Sequence, residues 1–163
     1  MRKTILLLAV VAMTLVMASG VALAAQMKCS ARGDCVGTPR DDRMIGTAKL
    51  DTIRGKNGND AIYGRASADR LYGGFGRDRL YGNGGNDELH GGPAPDKIFG
   101  GPGTDTVKGD AGSDRINVAG DGQTDSVDCG IGNDTAIVDD DDLGGANVID
   151  YFRVTSCENV IVR

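Results

Sequence analysis

Asp residues recur every nine positions over more than half of the chain, and this spacing constrains the fold more than any other feature. Gly stands five residues before each Asp of the unbroken series, and an apolar side chain stands two residues after it. The unit is therefore Gly-x-x-x-x-Asp-x-apolar-x. Its Asp residues are Asp42, Asp51, Asp60, Asp69, Asp78, Asp87, Asp96, Asp105 and Asp114, and after a two-residue insertion the series resumes at Asp125 and Asp134.

The composition agrees with a chain built of tight turns. The 163 residues include 26 Gly and 21 Asp but only 2 Glu, and they contain no Trp. Glu is the better helix former, whereas Asp beside Gly is typical of turns and oxygen-rich cation sites, so a helical bundle is disfavoured. The net charge of −5 argues against nucleic acid as a partner, because phosphate contacts need a basic footprint.

The physical chemistry of the unit predicts a solenoid with two walls. Six Gly-rich residues can turn tightly with positive φ, and the next three can form a short strand whose middle residue points inward. With two units in each coil, every Asp stacks on the Asp eighteen residues away, as Asp60 does on Asp78. Repulsion between such carboxylates predicts a bound cation, and irregular carbonyl-rich turns suit calcium better than magnesium. The alternative is a metal-free solenoid whose Asp side chains bond to nearby backbone amides.

The best-preserved copies are GGFGRDRLY from Gly73 and GGPGTDTVK from Gly100. Here the sequence resembles the RTX, or hemolysin-type, calcium-binding repeats, whose nonapeptide GGxGxDxUx winds into a parallel β-roll. The resemblance covers residues 37–138 and implies an all-β, right-handed parallel β-roll solenoid that binds several Ca²⁺ ions. The expected ligands are the carboxylates of Asp60, Asp69, Asp78, Asp87, Asp96, Asp105 and Asp114 and the carbonyls near Gly58, Gly76, Gly85, Gly103 and Gly112.

Some units depart from this pattern. The fourth position is not Gly in four of the turns, where it is occupied by Arg40, Lys49, Ser67 and Ala94. We therefore leave Asp42 and Asp51, which follow Arg40 and Lys49, out of the expected ligand set. The insertion leaves the register of Asp125 and Asp134 open.

The predicted interior is one side chain deep, with Ile62 and Leu80 facing Ile53 and Leu71. Apolar burial per residue is then small, while ordering the backbone costs about 1–2 kcal/mol per residue. We therefore expect the chain to fold as it binds calcium.

The first 24 residues resemble a secretory signal peptide. Arg2 and Lys3 precede an apolar stretch over residues 5–17, and Ala22-Leu23-Ala24 provides small residues for cleavage. A membrane anchor is the alternative, since the apolar stretch is long. Cleavage after Ala24 removes two cations, changes the net charge from −5 to −7 and leaves no expected membrane span. The product is expected to be secreted, extracellular or at the cell surface.

The four Cys residues favour two disulfides, as is usual in exported proteins. Three pairings are possible, and we favour Cys29 with Cys35 and Cys129 with Cys157, because each pair lies near one end of the repeats and would restrain fraying. Zinc binding is disfavoured by the spacing and by the single His. The predicted division is an N-terminal cap over residues 25–36, the repeats, and a C-terminal cap over residues 139–163. At the start of the C-terminal cap, we expect the acidic run Asp139 to Asp142 to be a solvated loop rather than a metal site.

The outer walls suggest a partner. Aromatic residues at 63, 81 and 99 align beside a basic column of Arg79, Lys97 and Arg115. Such columns suit an acidic polysaccharide or cell-wall polymer, but simple ladder packing gives the same pattern. The sequence contains no HExxH, GxSxG or phosphate-loop motif, so no catalytic residue is expected. Two further functions stay open: a calcium-dependent adhesin or carbohydrate-binding protein, and an accessory module of a separate exported enzyme.

Overall fold

The fold is given by a computed structural model, which describes residues 25–29, 34–140 and 154–163. The predicted signal peptide, residues 141 and 142 of the acidic run 139–142, and apolar residues 148, 149, 151 and 152 of the predicted C-terminal cap lie outside the described residues. The described ranges contain fifteen short strands and no α-helix. The strands are β1 Ala25–Lys28, β2 Asp34–Val36, β3 Asp42–Ile45, β4 Thr52–Asn57, β5 Ala61–Ala66, β6 Arg70–Phe75, β7 Arg79–Gly84, β8 Glu88–Pro93, β9 Lys97–Phe99, β10 Thr106–Ala111, β11 Arg115–Asn117, β12 Ser126–Asp128, β13 Thr135–Val138, β14 Val154–Thr155 and β15 Asn159–Val162.

The strands form two parallel sheets that face each other. The odd-numbered strands make an eight-stranded sheet in sequence order, and the even-numbered strands make a seven-stranded sheet in the same way. Each strand pairs with the strand two further along the chain. From β2 to β11 the register is eighteen residues, which sets Leu80 beside Ile98 and Leu71 beside Leu89. The predicted all-β parallel solenoid with two units per coil is confirmed.

The core is a double column of single side chains, as the nine-residue pattern predicts. The second residue after each repeat Asp points inward and is 0–1% exposed from Met44 to Val127. One column belongs to each sheet, and together they form a single cluster: Met44, Ile53, Ile62, Leu71, Leu80, Leu89, Ile98, Val107, Ile116 and Val127. The interior thus offers little apolar surface beyond one residue per unit.

The two-residue insertion is absorbed within one turn. Strands β10 and β12 pair with Thr106 beside Ser126, and β11 and β13 pair with Arg115 beside Thr135, a spacing of twenty residues. Inside the longer turn, Val118 is 2% exposed and joins the core. The registers of Asp125 and Asp134, which the sequence left open, are therefore restored on both walls.

Both ends of the solenoid carry a disulfide. Cys29 is bonded to Cys35 between β1 and β2, and Cys129 is bonded to Cys157 next to β14. This is the pairing favoured from the sequence, and it leaves none of the four Cys free for zinc. Strands β1 and β2 extend the two sheets at the N-terminal end, and β14 and β15 extend them at the C-terminal end. No helix in the described part of the chain could cross a membrane.

Candidate metal site along two carboxylate rims

The repeat Asp side chains line the two edges where the chain passes from one sheet to the other. The first rim lies where the odd-numbered strands begin and contains Asp42, Asp60, Asp78, Asp96, Asp114 and Asp134. The second rim precedes the even-numbered strands and contains Asp51, Asp69, Asp87, Asp105 and Asp125. All of these side chains are buried, with 0–3% of their surface exposed. Buried carboxylates on this scale need partners, because an isolated buried charge is strongly unfavourable.

From Asp60 onward, one oxygen of each rim carboxylate accepts a hydrogen bond from the neighbouring coil. The backbone amide of Asp60 donates to Oδ1 of Asp78 at 2.7 Å, and the amide of Asp69 donates to Oδ1 of Asp87 at 2.7 Å. The same bond recurs between rim residues from Asp42 to Asp134 at 2.6–2.8 Å. Oδ1 therefore satisfies a turn amide, as in the metal-free alternative.

The second carboxylate oxygen, Oδ2, lacks such a bond in most rim residues. In the described residues, Oδ2 is buried and has no hydrogen-bond partner in eight rim side chains: Asp60, Asp69, Asp78, Asp87, Asp96, Asp105, Asp114 and Asp134. A buried carboxylate oxygen without a donor or a cation is unfavourable by about 1–3 kcal/mol or more. In these residues, backbone amides thus bind only one of the two carboxylate oxygens.

The first Gly of each unit makes room for this second oxygen. A Cβ built on Gly91 would lie 2.6 Å from Oδ2 of Asp96 and 2.8 Å from the carbonyl oxygen of Gly109. Two oxygens therefore converge on the backbone of Gly91, and any larger residue would displace one of them. This space requirement explains why Gly precedes the repeat Asp by five residues.

The fourth position of the unit stacks carbonyl groups along each rim. Gly76 has φ of 122°, and a Cβ there would collide with the carbonyl oxygen of Gly58 in the preceding coil. At Gly112, the carbonyl oxygen of Ala94 and Oδ1 of Asp114 both lie under 3.0 Å from the Cβ position. The structure thus brings the expected carbonyl column next to the carboxylate column.

Burial and mutual repulsion raise the pKa of the rim carboxyls. The pKa of Asp96 is raised to about 8, chiefly by burial and also by the charges of Asp78 and Asp114. The hydrogen bond from the Asp78 amide opposes this rise. Burial likewise raises the pKa of Asp78 to about 7. The pKa is raised to about 6, again chiefly by burial, at Asp60, Asp69, Asp87, Asp105 and Asp114. The ionised rims are therefore unfavourable without a compensating positive charge.

The donor set fits calcium. Unpartnered carboxylate oxygens and stacked carbonyls are hard oxygen ligands in irregular geometry, which calcium accepts. Within the described ranges, no three His, Cys, Asp or Glu side chains cluster closely enough to hold a metal ion by themselves. Any ion on the rims would therefore take much of its coordination from backbone carbonyls.

In the two N-terminal turns a Thr residue satisfies Oδ2 without a cation, although Oδ1 of Asp51 is buried and has no hydrogen-bond partner among the described residues. Oδ2 of Asp42 accepts from the amide of Thr38 at 2.6 Å and from its hydroxyl at 2.9 Å. Oδ2 of Asp51 accepts from the amide and hydroxyl of Thr47 in the same way. In the sequence, Arg40 and Lys49 marked these two turns as unusual. The hydrogen-bond donors to Oδ2, however, are the Thr residues two positions earlier. That role of Thr was missed.

The C-terminal end of the first rim was also only partly foreseen. Asp134 has the same buried Oδ2 as the expected ligands, and burial raises its pKa. Its amide donates to Oε2 of Glu158 at 2.6 Å, so a Glu ends the column.

Asp139, expected in a solvated acidic run, is instead 9% exposed and accepts from the amides of Gly120 and Gly122. These amides lower the pKa of Asp139 and hold the longer turn.

A parallel β-solenoid with two rims of buried carboxylates defines a repeat protein of the metal-binding class. The family model for the RTX calcium-binding nonapeptide repeat (4 copies) matches residues 36–70, 45–80, 63–96, 81–116, 90–126 and 99–136. The matches together span residues 36–136, more than half of the chain, and the chain belongs to this family. The resemblance seen in the nonapeptides is thus confirmed. No match was found among curated proteins.

Proposed function

We propose that calcium ions bind along both rims and that the chain folds into its solenoid on binding them. The proposed ligands are the carboxylates of Asp60, Asp69, Asp78, Asp87, Asp96, Asp105 and Asp114, the carbonyls near Gly58, Gly76, Gly85, Gly103 and Gly112, and additionally the carboxylate of Asp134. The observation that carries this proposal is the buried, unpartnered Oδ2 that recurs through these units. Calcium supplies positive charge next to that oxygen, which offsets the burial of the carboxylate.

Coupling of folding to binding follows from the thin core. Each unit buries one large apolar side chain, while its turn gathers a carboxylate whose ionised form is disfavoured by burial. At a calcium concentration one hundred times the dissociation constant, each independent site would stabilise the fold by about 2.7 kcal/mol. Several such sites would outweigh the cost of ordering the turns.

Calcium titration of the disulfide-bonded protein tests this proposal. We expect far-UV circular dichroism to gain strand signal with calcium and to lose it with excess chelator, and calorimetry to count the ions. Magnesium at the same concentration is the control, because its octahedral preference suits these turns poorly. Strand signal that persists unchanged in chelator would falsify coupled folding, and the absence of any calcium heat would remove the binding proposal.

We further propose that the protein is exported and acts as a structural or binding module rather than as an enzyme. Two disulfides close the ends of the solenoid, and disulfides are stable in oxidising compartments. The candidate export signal is the segment 1–24. Sequencing the N-terminus of the protein recovered from culture medium tests this: a mature chain beginning at Ala25 is expected, and retention of an uncleaved chain in the membrane fraction contradicts it.

A further inference from the structure

The outer face of the eight-stranded sheet is basic although the protein is acidic. We define the cationic face as the first two outward positions of β3, β5, β7, β9 and β11. One column contains Arg43, Ala61, Arg79, Lys97 and Arg115, and the other contains Ile45, Tyr63, Tyr81, Phe99 and Asn117. The four cations are exposed, and none of the ten residues is acidic. With a net charge of −5 for the whole chain, this segregation concentrates positive charge on one wall.

The opposite wall lacks this segregation. The equivalent positions of β2, β4, β6, β8, β10 and β12 contain the cations Arg54, Arg70 and Lys108 and the acids Asp34, Glu88 and Asp128. Arg70 pairs with Glu88 at 3.2 Å, and His90 lies 3.1 Å from the same Glu. By contrast, no ion pair involves the four cations of the cationic face within the described residues. Their charge is available to a partner.

The aromatic residues make the cationic face rigid. Tyr63 stacks on Tyr81 with ring centroids 4.8 Å apart, and Tyr81 stacks on Phe99 at 4.9 Å, with planes within 4° of parallel. The guanidinium of Arg43 lies 5.0 Å from the centroid of the Tyr63 ring. The aromatic side chains of neighbouring strands therefore stack on one another, and this stacking covers most of their ring faces. Bases of single-stranded nucleic acid need open ring faces on which to stack, so this wall is poorly suited to them.

We propose that the cationic face binds an acidic polysaccharide, with its carboxylate or sulfate groups on the basic column. Arg79, Lys97 and Arg115 are direct neighbours on β7, β9 and β11, so their charges repeat about every 4.8 Å along the solenoid axis. A linear polyanion running along this axis can contact all three in turn. Arg can bind such groups with two parallel hydrogen bonds, and Tyr hydroxyls beside them can bond to sugar hydroxyls.

This inference rests on the proposed function in one respect: the column exists only in the folded solenoid. Calcium also helps by charge, because ions on the rims reduce the negative field that a polyanion meets on approach. Polysaccharide binding should therefore require calcium, whereas calcium binding should not require the cationic face.

Two triple variants with the same change in net charge test the proposal. The first replaces the basic column by Arg79→Gln, Lys97→Gln and Arg115→Gln. The second replaces the cations of the opposite wall by Arg54→Gln, Arg70→Gln and Lys108→Gln. Binding to hyaluronate and to dextran sulfate is measured by biolayer interferometry in calcium at low salt, with neutral dextran and duplex DNA as comparison probes. Calcium titration of each variant by circular dichroism checks that the solenoid still forms.

We expect the first variant to bind the acidic polymers about tenfold more weakly than the unaltered protein and the second to bind within about threefold of it. Equal losses in both variants would overturn the proposal, since net charge alone would then explain binding. Tighter binding to DNA, equal binding to neutral dextran, or no binding to either acidic polymer would overturn it too. Calcium titration that stays normal in such a case leaves the proposed calcium function intact.

Discussion

The backbone amide of Asp78 donates a hydrogen bond to Oδ1 of Asp96 at 2.7 Å, while Oδ2 of Asp96 is buried without a partner. The two oxygens of this carboxylate therefore have different roles. Oδ1 joins adjacent coils, and Oδ2 is the oxygen that we propose as a calcium ligand. A substitution that keeps the hydrogen bond to Oδ1 and changes Oδ2 can therefore test the two roles separately.

Asp96→Asn is such a substitution. The amide keeps Oδ1 as an acceptor for Asp78 and removes the buried charge. In chelator we expect the variant to be more stable than the unaltered protein by about 1–3 kcal/mol, or to show more strand signal. In calcium we expect it to be less stable, because a neutral amide is a poorer ligand. Strand signal in chelator and thermal unfolding in calcium together measure the reversal, and a change of the same sign in both contradicts it.

Asp42→Asn is the matched control for that experiment. Oδ2 of Asp42 accepts from the amide and hydroxyl of Thr38, so an NH₂ group at this place loses acceptor capacity. Destabilisation is expected both in chelator and in calcium, with the number of bound ions unchanged. A drop in that number would place an ion at the first turn.

Stability without calcium should fall as the pH rises. The pKa values of Asp96 and Asp78 are raised from 3.8 to about 8 and about 7, chiefly by burial. Folded protein therefore keeps protons that the unfolded chain has released, so the stabilisation is complete below about pH 4 and is lost progressively as the pH rises through the folded pKa values of about 7 and about 8. Calcium competes with these protons, and its apparent affinity should rise over the same interval. Circular dichroism against pH in chelator tests this; a gain of structure from pH 4 to 8 contradicts it.

The Thr hydroxyls of the N-terminal turns should stabilise the protein independently of calcium. Thr47→Val removes the 2.9 Å bond from Oγ1 to Oδ2 of Asp51 and should cost about 1–2 kcal/mol at limiting and at saturating calcium alike. Thr106→Val, at an exposed strand position, is the control and should be nearly neutral. Chemical unfolding at both calcium concentrations measures the difference. A cost confined to the calcium-bound protein would show that this turn does depend on the ion.

The fourth position of the unit offers a stabilising change. Ala94 has φ of 96°, a left-handed conformation that costs an Ala about 1–2 kcal/mol relative to Gly. Ala94→Gly should therefore raise the stability by about 1 kcal/mol after the greater freedom of the unfolded chain is counted. Gly76→Ala should destabilise the protein by at least about 2 kcal/mol, because the strain of a positive φ and the collision of Cβ with the Gly58 carbonyl are both unfavourable. Melting temperatures in calcium compare the two; a loss of stability in Ala94→Gly contradicts the argument.

The nine-residue phase was enough to predict the two sheets, the core column and the residues that share each rim. A strict period fixes which side chains face the same way, and this argument holds for Leu80 and Asp78 alike. The period cannot tell where each lone pair is directed, since that depends on the conformation of the turn. The hydrogen bond from the Asp78 amide to Oδ1 of Asp96 was therefore considered only as an alternative to metal, although the other oxygen of the same carboxylate has no partner.

Local substitutions in the turns were harder to interpret. Arg40 and Lys49 marked the first two units as unusual, but the hydroxyls that replace a cation there belong to Thr38 and Thr47. Asp139 looked like part of a solvated run because its partners, the amides of the inserted turn, are distant in sequence. The basic column of Arg79, Lys97 and Arg115, in contrast, was predicted from residue positions, and a comparison of alternate units would also have shown the mixed charges of the opposite wall.

The eighteen-residue register has a consequence for how such a gene can lengthen. Duplication of thirty-six or eighteen residues adds whole coils and continues both walls unchanged, as the pairing of Tyr63 with Tyr81 shows. Duplication of a single nonapeptide would instead exchange the walls downstream, so that Arg70 and Glu88 would continue the column begun by Arg43. Natural relatives that differ in length should therefore differ by even numbers of nonapeptides.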